Sequence, residues 1–175
     1  MSRFLAAEDE PDQLVLSLYG QLAAGMTPDT FVAGEAASVA PLDGLRYRAM
    51  YLPPNAAAND SFLETLRLLL VQDPASGLRL AFATPRGWLE AGKRTEVTAA
   101  PTRFGPVSYS LAASVRRVRI HLDAPAGAPT VLLRLRLPAG RRIVSVSPRR
   151  PFDRTTGVID LSGATGPLDL IVRTT

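Results

Sequence analysis

A mainly β fold with an α-helical N-terminal part is predicted by two observations on the amino-acid sequence. From about residue 77 onward, apolar residues recur at every second position: Val118, Ile120 and Leu122 alternate with Arg119 and His121, and Leu133, Leu135 and Leu137 alternate with Arg134 and Arg136. A strand that covers a core on one side only shows this period of two. Before that point the apolar spacing is helical. The change predicts a helical segment over residues 1–80 and an antiparallel β-sandwich over residues 81–175.

The first helix is predicted within 9–25, where Leu14, Val15, Leu18, Tyr19 and Leu22 share one face. Pro11 suits the first turn, Asp9, Glu10 and Asp12 suit the positive helix end, and Gly25 suits the stop. Residues 26–58 hold Pro and Gly too often for a long helix, yet Phe31, Val32, Val39, Tyr47, Met50 and Tyr51 make the stretch too apolar for a disordered one. A second helix is predicted over 59–73, with Asn59, Asp60 or the Ser61-x-x-Glu64 capping box at its start. Its apolar stripe of Phe62, Leu63, Leu66, Leu69 and Leu70 is widened by Leu68 and Val71. A helix apolar on more than one side is normally enclosed, which points to a larger helical assembly or to a homo-oligomer.

Eight strand candidates follow: GLRLAFAT, RTEVTAA, PVSYSLAA, VRRVRIHLDA, TVLLRLRLP, RRIVSVS, GVIDLS and PLDLIVRT. Gly- and Pro-bearing turns such as APAGAP, PAGR and GATGP divide the later ones. In APTRFGPVSYSL, Gly105-Pro106 interrupts the alternation and marks a bulge or a strand entry.

Composition narrows the function classes. The chain has no cysteine, so disulfides, zinc–thiolate sites and cysteine nucleophiles are excluded. His121 is the single histidine, mid-strand on the arginine face, which suits a surface position better than general-base duty; a histidine-rich metal site is excluded. No phosphate-cradling or dinucleotide-binding glycine motif occurs, and no cofactor is expected. The opening MSRFLAAEDEPD lacks a basic-then-apolar export signal, and no apolar run approaches the ~20 residues of a membrane helix, so a soluble chain with no membrane partner is expected.

Residues 1–85 hold five arginines against ten carboxylates, a balance of −5, while residues 86–175 hold fifteen cations against six carboxylates, a balance of +9. A basic half can signal an anionic partner, and Arg117, Arg119, Arg134 and Arg136 would carry such a role. The alternating placement, without interleaved aromatics, argues for a solvated sheet face and against a nucleic-acid partner.

Five residues stand out as site candidates. Glu35, in FVAGEAASVAPLDG, is a loop carboxylate among apolar residues, suited to general-acid duty or to stabilising the loop. Tyr47 and Tyr51 suit contact with hydroxyl-rich ligands, or packing under the long connection. Asn55 lies in the same connection, in YLPPN. Trp88, in ATPRGWLEAGK, would stack on a sugar ring if exposed, or anchor the linker if buried, and its neighbours Phe82 and Leu89 favour burial. Glycoside hydrolysis generally uses two carboxyl groups, and Glu35 has no convincing partner in the sequence.

The run AFATPRGWLEAGKRTEVTAAPTRFGPVSYSL resembles the junction in bacterial six-hairpin glycosidase-like proteins, relatives of the α-L-rhamnosidases, where an (α/α) toroid gives way to a C-terminal β-sandwich. LYGQLAAGMTPDTFVAGEAASVAPLDGLRYRAMYLPPNAAANDSFLETLRLLLV is similar to the last helical hairpin of the toroid with its long inward loop. The resemblance implies a C-terminal part of a carbohydrate-active, glycoside hydrolase-like protein, with a mainly structural sandwich packed on the catalytic toroid. It also implies that Gly34-Glu35 and the loop Tyr51-Leu52-Pro53-Pro54-Asn55 face a sugar pocket. Most of a toroid is absent from these 175 residues, so the chain alone is not expected to be a complete catalyst. The rival expectation is a stand-alone carbohydrate-binding module that uses Trp88 or the tyrosines.

Overall fold

A computed structural model describes residues 1–27, 29–38 and 50–175. The chain is mainly β with an N-terminal helical part. It divides into two compact units, Met1–Leu69 and Leu70–Thr175, whereas the sequence suggested a change of character at 80/81.

Among the described residues the first unit contains three helices. Helix α1, Ser2–Ala7, has no sequence forecast behind it, being too short to show a period and lacking a side-chain cap. Its place is held from outside itself: the Ser2 and Thr65 hydroxyls lie 2.7 Å apart and buried, and Arg3 pairs with Glu64 through its Nε and Nη2. Helix α2, Pro11–Gly25, starts and stops where its punctuation indicates, and Leu14 and Leu18 are buried. Tyr19, expected on the same covered stripe, is exposed.

Helix α3, Ala56–Leu70, begins three residues before the expected start. Asn55 is the reason: its Oδ1 accepts the Ala58 N–H at 2.9 Å, and Ala56, Ala57 and Ala58 are the best helix formers available. Ser61 is consequently inside the helix, where its carbonyl accepts the Thr65 hydroxyl at 2.8 Å, and Glu64 reaches Arg3 and not the helix start. Two-residue strands β1, Ala36–Ala37, and β2, Met50–Tyr51, pair antiparallel across the connection.

The second unit is built from nine strands in two sheets. Val71–Gln72 (β3), Leu78–Leu80 (β4), Val131–Arg134 (β8) and Val158–Asp160 (β10) form one sheet in the order β10-β8-β4-β3. Arg94–Ala100 (β5), Val107–Ala113 (β6), Arg117–Ala124 (β7), Ile143–Ser147 (β9) and Gly166–Thr174 (β11) form the other in the order β5-β6-β7-β11-β9. The five-stranded sheet is antiparallel throughout; the four-stranded sheet is mixed, because β4 runs parallel to β8. Parallel neighbours require a long return, and residues 81–130 supply it by crossing to the other sheet for three strands.

All eight strand candidates contain a strand, and alternation sets their faces: Val118, Ile120, Leu122 and Ala124 on β7 are buried while Arg117, Arg119, His121 and Asp123 are exposed. The inward residues of both sheets, with Leu89, form one apolar cluster that includes Leu78, Leu80, Leu111, Leu133, Ile143, Ile159 and Val172. Tyr109 belongs to it, and its hydroxyl donates to the Leu70 carbonyl at 2.9 Å. Burial pushes that phenol above its ordinary range. Gly105, at φ +116°, closes a turn onto Thr102 just before β6, so the Gly-Pro pair marks a strand entry. Gly157, at φ +73°, passes so close to Leu135 that a Cβ would lie 2.3 Å from the Leu135 carbonyl oxygen.

Candidate functional site

The described parts of the connection between α2 and α3 are joined by backbone hydrogen bonds within the first unit. Met26 bridges Ala33, Gly34 N–H donates to the Gly25 carbonyl at 3.2 Å, and Asn55 N–H donates to the Ala33 carbonyl at 2.7 Å. With the pairing of Ala36 to Tyr51, these bonds set the segment 33–37 beside the segment 50–55. Glu35 and Tyr51, sixteen positions apart in the sequence, are therefore on neighbouring stretches of backbone.

Glu35 is exposed, between buried Gly34 and β1. The apolar setting expected around it is partial: Ala33 and Gly34 are buried, and Phe31 and Leu52 are exposed. Phe31 at φ +52° and Leu52 at φ +48° hold left-handed backbone, which costs a bulky residue of the order of 1–2 kcal/mol. Tight local bonding accompanies the first of these, since Thr27 Oγ1 accepts the Val32 N–H at 2.9 Å and the Thr27 carbonyl accepts the Phe31 N–H at 3.1 Å.

Asn55 sits in this corner, with its side-chain oxygen engaged at the start of α3. Tyr47 lies outside the described residues. The backbone pairing thus sets Glu35, Tyr51 and Asn55 on neighbouring stretches of chain.

Trp88 belongs to the second unit, in a 3-10 turn over Arg86–Leu89. Leu89 is fully buried and Trp88 is half-buried, so the indole is neither enclosed nor free. It lines an open cleft of about 600 Å³ with Leu70, Glu90, Lys93, Arg94 and Glu96.

His121 is on the exposed face of β7, where Nδ1 lies 2.9 Å from Asp169 Oδ1 on β11. Ser110 on β6 is opposite His121 in the register, so serine, histidine and aspartate occupy one row across three strands. The row lies on the open face of a sheet whose backbone donors are engaged in the ladder, which leaves no N–H pair to stabilise an oxyanion beside it. Among the described residues no cluster of three or more His, Cys, Asp or Glu could hold a metal ion, and no helix is long and apolar enough to cross a membrane.

The arginines separate into two groups that alternation alone did not distinguish. Arg117 and Arg119 are on the exposed sheet face as expected, whereas Arg136 is only 9% exposed. Strand β8 ends at Arg134, and beyond it Leu137 N–H folds back onto the Leu135 carbonyl, so period two no longer assigns residue 136 a face. No family model matches the chain, and no curated protein matches it.

Proposed function

We propose that this chain is the C-terminal part of a carbohydrate-active, glycoside hydrolase-like protein of the six-hairpin type. In this reading the sandwich is mainly structural and packs on a catalytic toroid, and Glu35 provides sugar contact or acid/base chemistry there. One observation carries the reading: Phe4 on α1, Leu16 and Tyr19 on α2 and Leu63 on α3 are each more than half exposed. Burying a side chain of this size is worth roughly 1.5–3 kcal/mol, so a set of helices with this much apolar surface in water gains from further cover. Additional helical hairpins would supply that cover. The adjacency of Glu35 to Tyr51, between exposed Phe31 and Leu52, supports a ligand-facing role for the connection.

The test is a longer polypeptide that carries helical hairpins ahead of these residues, assayed on aryl glycosides and oligosaccharides. Hydrolysis is expected, with Glu35→Gln lowering turnover by about 100-fold or more. Hydrolysis unchanged by the substitution removes Glu35 from the mechanism, and absence of hydrolysis across the panel removes the enzyme reading.

A second reading, a stand-alone carbohydrate-binding module, is favoured by the half-buried Trp88 in its open cleft. Trp88 is the single tryptophan, so oligosaccharide titration followed by its fluorescence reports on that cleft alone. A saturable change supports the module, and a flat titration supports the structural role.

A further inference from the structure

Strand β9 forms one margin of the five-stranded sheet, and among the described residues no strand lies beyond it. Such a margin offers unpaired backbone N–H and C=O groups to an extended chain that comes alongside. The margin at β10 in the other sheet is covered. Asp153 N–H donates to the Val158 carbonyl at 2.8 Å, Asp160 N–H donates to the Pro151 carbonyl at 2.9 Å, and Phe152 bridges Ile159. Residues 151–153 thus stand in for a further strand there, whereas Val144, Ser145 and Ser147 on β9 are exposed.

The pairing of β9 with β11 is also irregular. Ile143 is opposite Thr174 and Ser145 is opposite Arg173, so β9 holds one residue more than its partner, at Val144. A bulge of this kind takes a side chain out of the alternation. Counting back from buried Val146 places Val144 inside, yet Ile143 is buried and Val144 is 47% exposed. Val144 stands in an open cleft of about 760 Å³, a size that suits several side chains of a ligand. Three consecutive residues of β9, 144 to 146, line that cleft. An opening against the edge of a strand has this lining, whereas one against a face meets every second residue.

Across the cleft, Pro151 and Phe152 add apolar surface, and Arg149, Arg150 and Arg154 add charge. Arg149 and Arg154 are exposed, and the Arg154 guanidinium lies 5.9 Å from the centre of the Phe152 ring, which holds a cation beside the apolar floor. Arg150 interacts with Asp160 of the same unit, so recognition falls to the other two. Asp153 is engaged in its own turn, where Oδ1 accepts the Thr155 N–H at 2.7 Å and the Thr156 N–H at 3.3 Å. Pro148 and Pro151 bracket the arginine pair and fix φ on both sides of it.

We infer that the groove between β9 and residues 149–154 receives an extended acidic segment of a partner protein, added to the sheet as a strand. Backbone bonds to the β9 edge hold the segment. Its apolar residues, at every second position, meet Val144, Pro151 and Phe152, and its carboxylates meet Arg149 and Arg154. This surface does not depend on the hydrolase reading, because its residues all belong to the second unit.

The experiment is fluorescence anisotropy of the full 175-residue chain with a fluorescein-labelled decapeptide of alternating glutamate and valine, at fixed ionic strength. Saturable binding is expected, weaker by about ten-fold or more in Arg149→Glu with Arg154→Glu and unchanged in Arg117→Glu with Arg119→Glu on the open sheet face. All four positions are exposed, and matching unfolding midpoints will verify that each double variant is folded. The first double variant is expected to bind the lysine–valine counterpart more tightly than the parent does. Of two peptides N-methylated at the valines or at the glutamates, one turns its methyl groups to β9 and the other to solvent, so only one is expected to bind. Equal affinities of these two overturn strand addition. Absence of saturable binding overturns the proposal, and so does an equal loss in both double variants. Decathymidylate bound as tightly as the peptide, and lost in the first double variant, overturns it in favour of nucleic acid. A dimer in sedimentation that the same variant disperses, with no peptide bound, overturns it in favour of a second copy of this chain.

Discussion

Tyr109 shows how one residue serves both as core and as a polar tie. Its ring fills the sandwich among Leu78, Leu111 and Leu133, while its hydroxyl satisfies the Leu70 carbonyl. Tyr109→Phe keeps the ring and is expected to cost about 1 kcal/mol in urea unfolding at neutral pH, the usual net worth of such a bond plus the carbonyl it leaves unpaired. The same residue sets an alkaline limit. Burial raises the folded phenol above its ordinary value near 10, so above that pH the unfolded chain releases a proton that the folded chain retains. The unfolded state then binds fewer protons, and stability falls as pH rises. The Tyr109 contribution is complete below about pH 10 and declines above it by up to about 1.4 kcal/mol per pH unit. Unfolding midpoints measured across that window should fall less steeply in Tyr109→Phe than in the parent; identical slopes would place the titration elsewhere. Thr65 is the counterpart in the helical unit, where a buried hydroxyl meets Ser2 and the Ser61 carbonyl.

Among the elements, α3 shows a start signal chosen by geometry from several available. Asn55, Asn59, Asp60 and Ser61 are all competent caps by residue type. The backbone bond from Asn55 to Ala33 places Asn55 at the point where the chain turns into the helix, and the alanine run then extends the helix from there. Asn55→Ala is expected to destabilise the chain by about 1 kcal/mol, and Asn55→Asp to recover most of that, as read by thermal unfolding. A loss of that size with Asn55→Asp as well would show that the side-chain amide has a role beyond capping. Strand β8 shows the opposite case, in which an apolar-polar alternation continues past the end of the ladder and ceases to predict a face. That is how Arg136 came to be buried.

For the molecule as a whole, the two compact units differ in how well each covers itself. Among the described residues the sandwich cluster draws on those from Leu70 onward, whereas the helical unit leaves Phe4, Leu16, Tyr19 and Leu63 in water. A polypeptide of residues 70–175 is therefore expected to fold alone, with strand-type circular dichroism and a single cooperative unfolding transition. A non-cooperative melt of that fragment would show that the sandwich needs the helical unit. Residues 1–69 alone are expected to bind a hydrophobic dye and to self-associate, because their exposed apolar residues have no cover of their own.

The mainly β character, the eight later strands, the limits of α2 and the inward faces of β6 and β7 were all legible in the residue pattern. Each depends on near-neighbour physics: side chains alternate along a strand, proline and glycine bound a helix, and apolar faces avoid water. Long-range pairing was not legible. The parallel match of Leu78 on β4 to Val131 on β8 and the pairing of Ala36 with Tyr51 both join residues far apart in the chain. Local pattern limits each segment to a few conformations. Which segments become neighbours depends on how their apolar faces and backbone bonds are satisfied together, and that competition is settled only when the chain closes on itself.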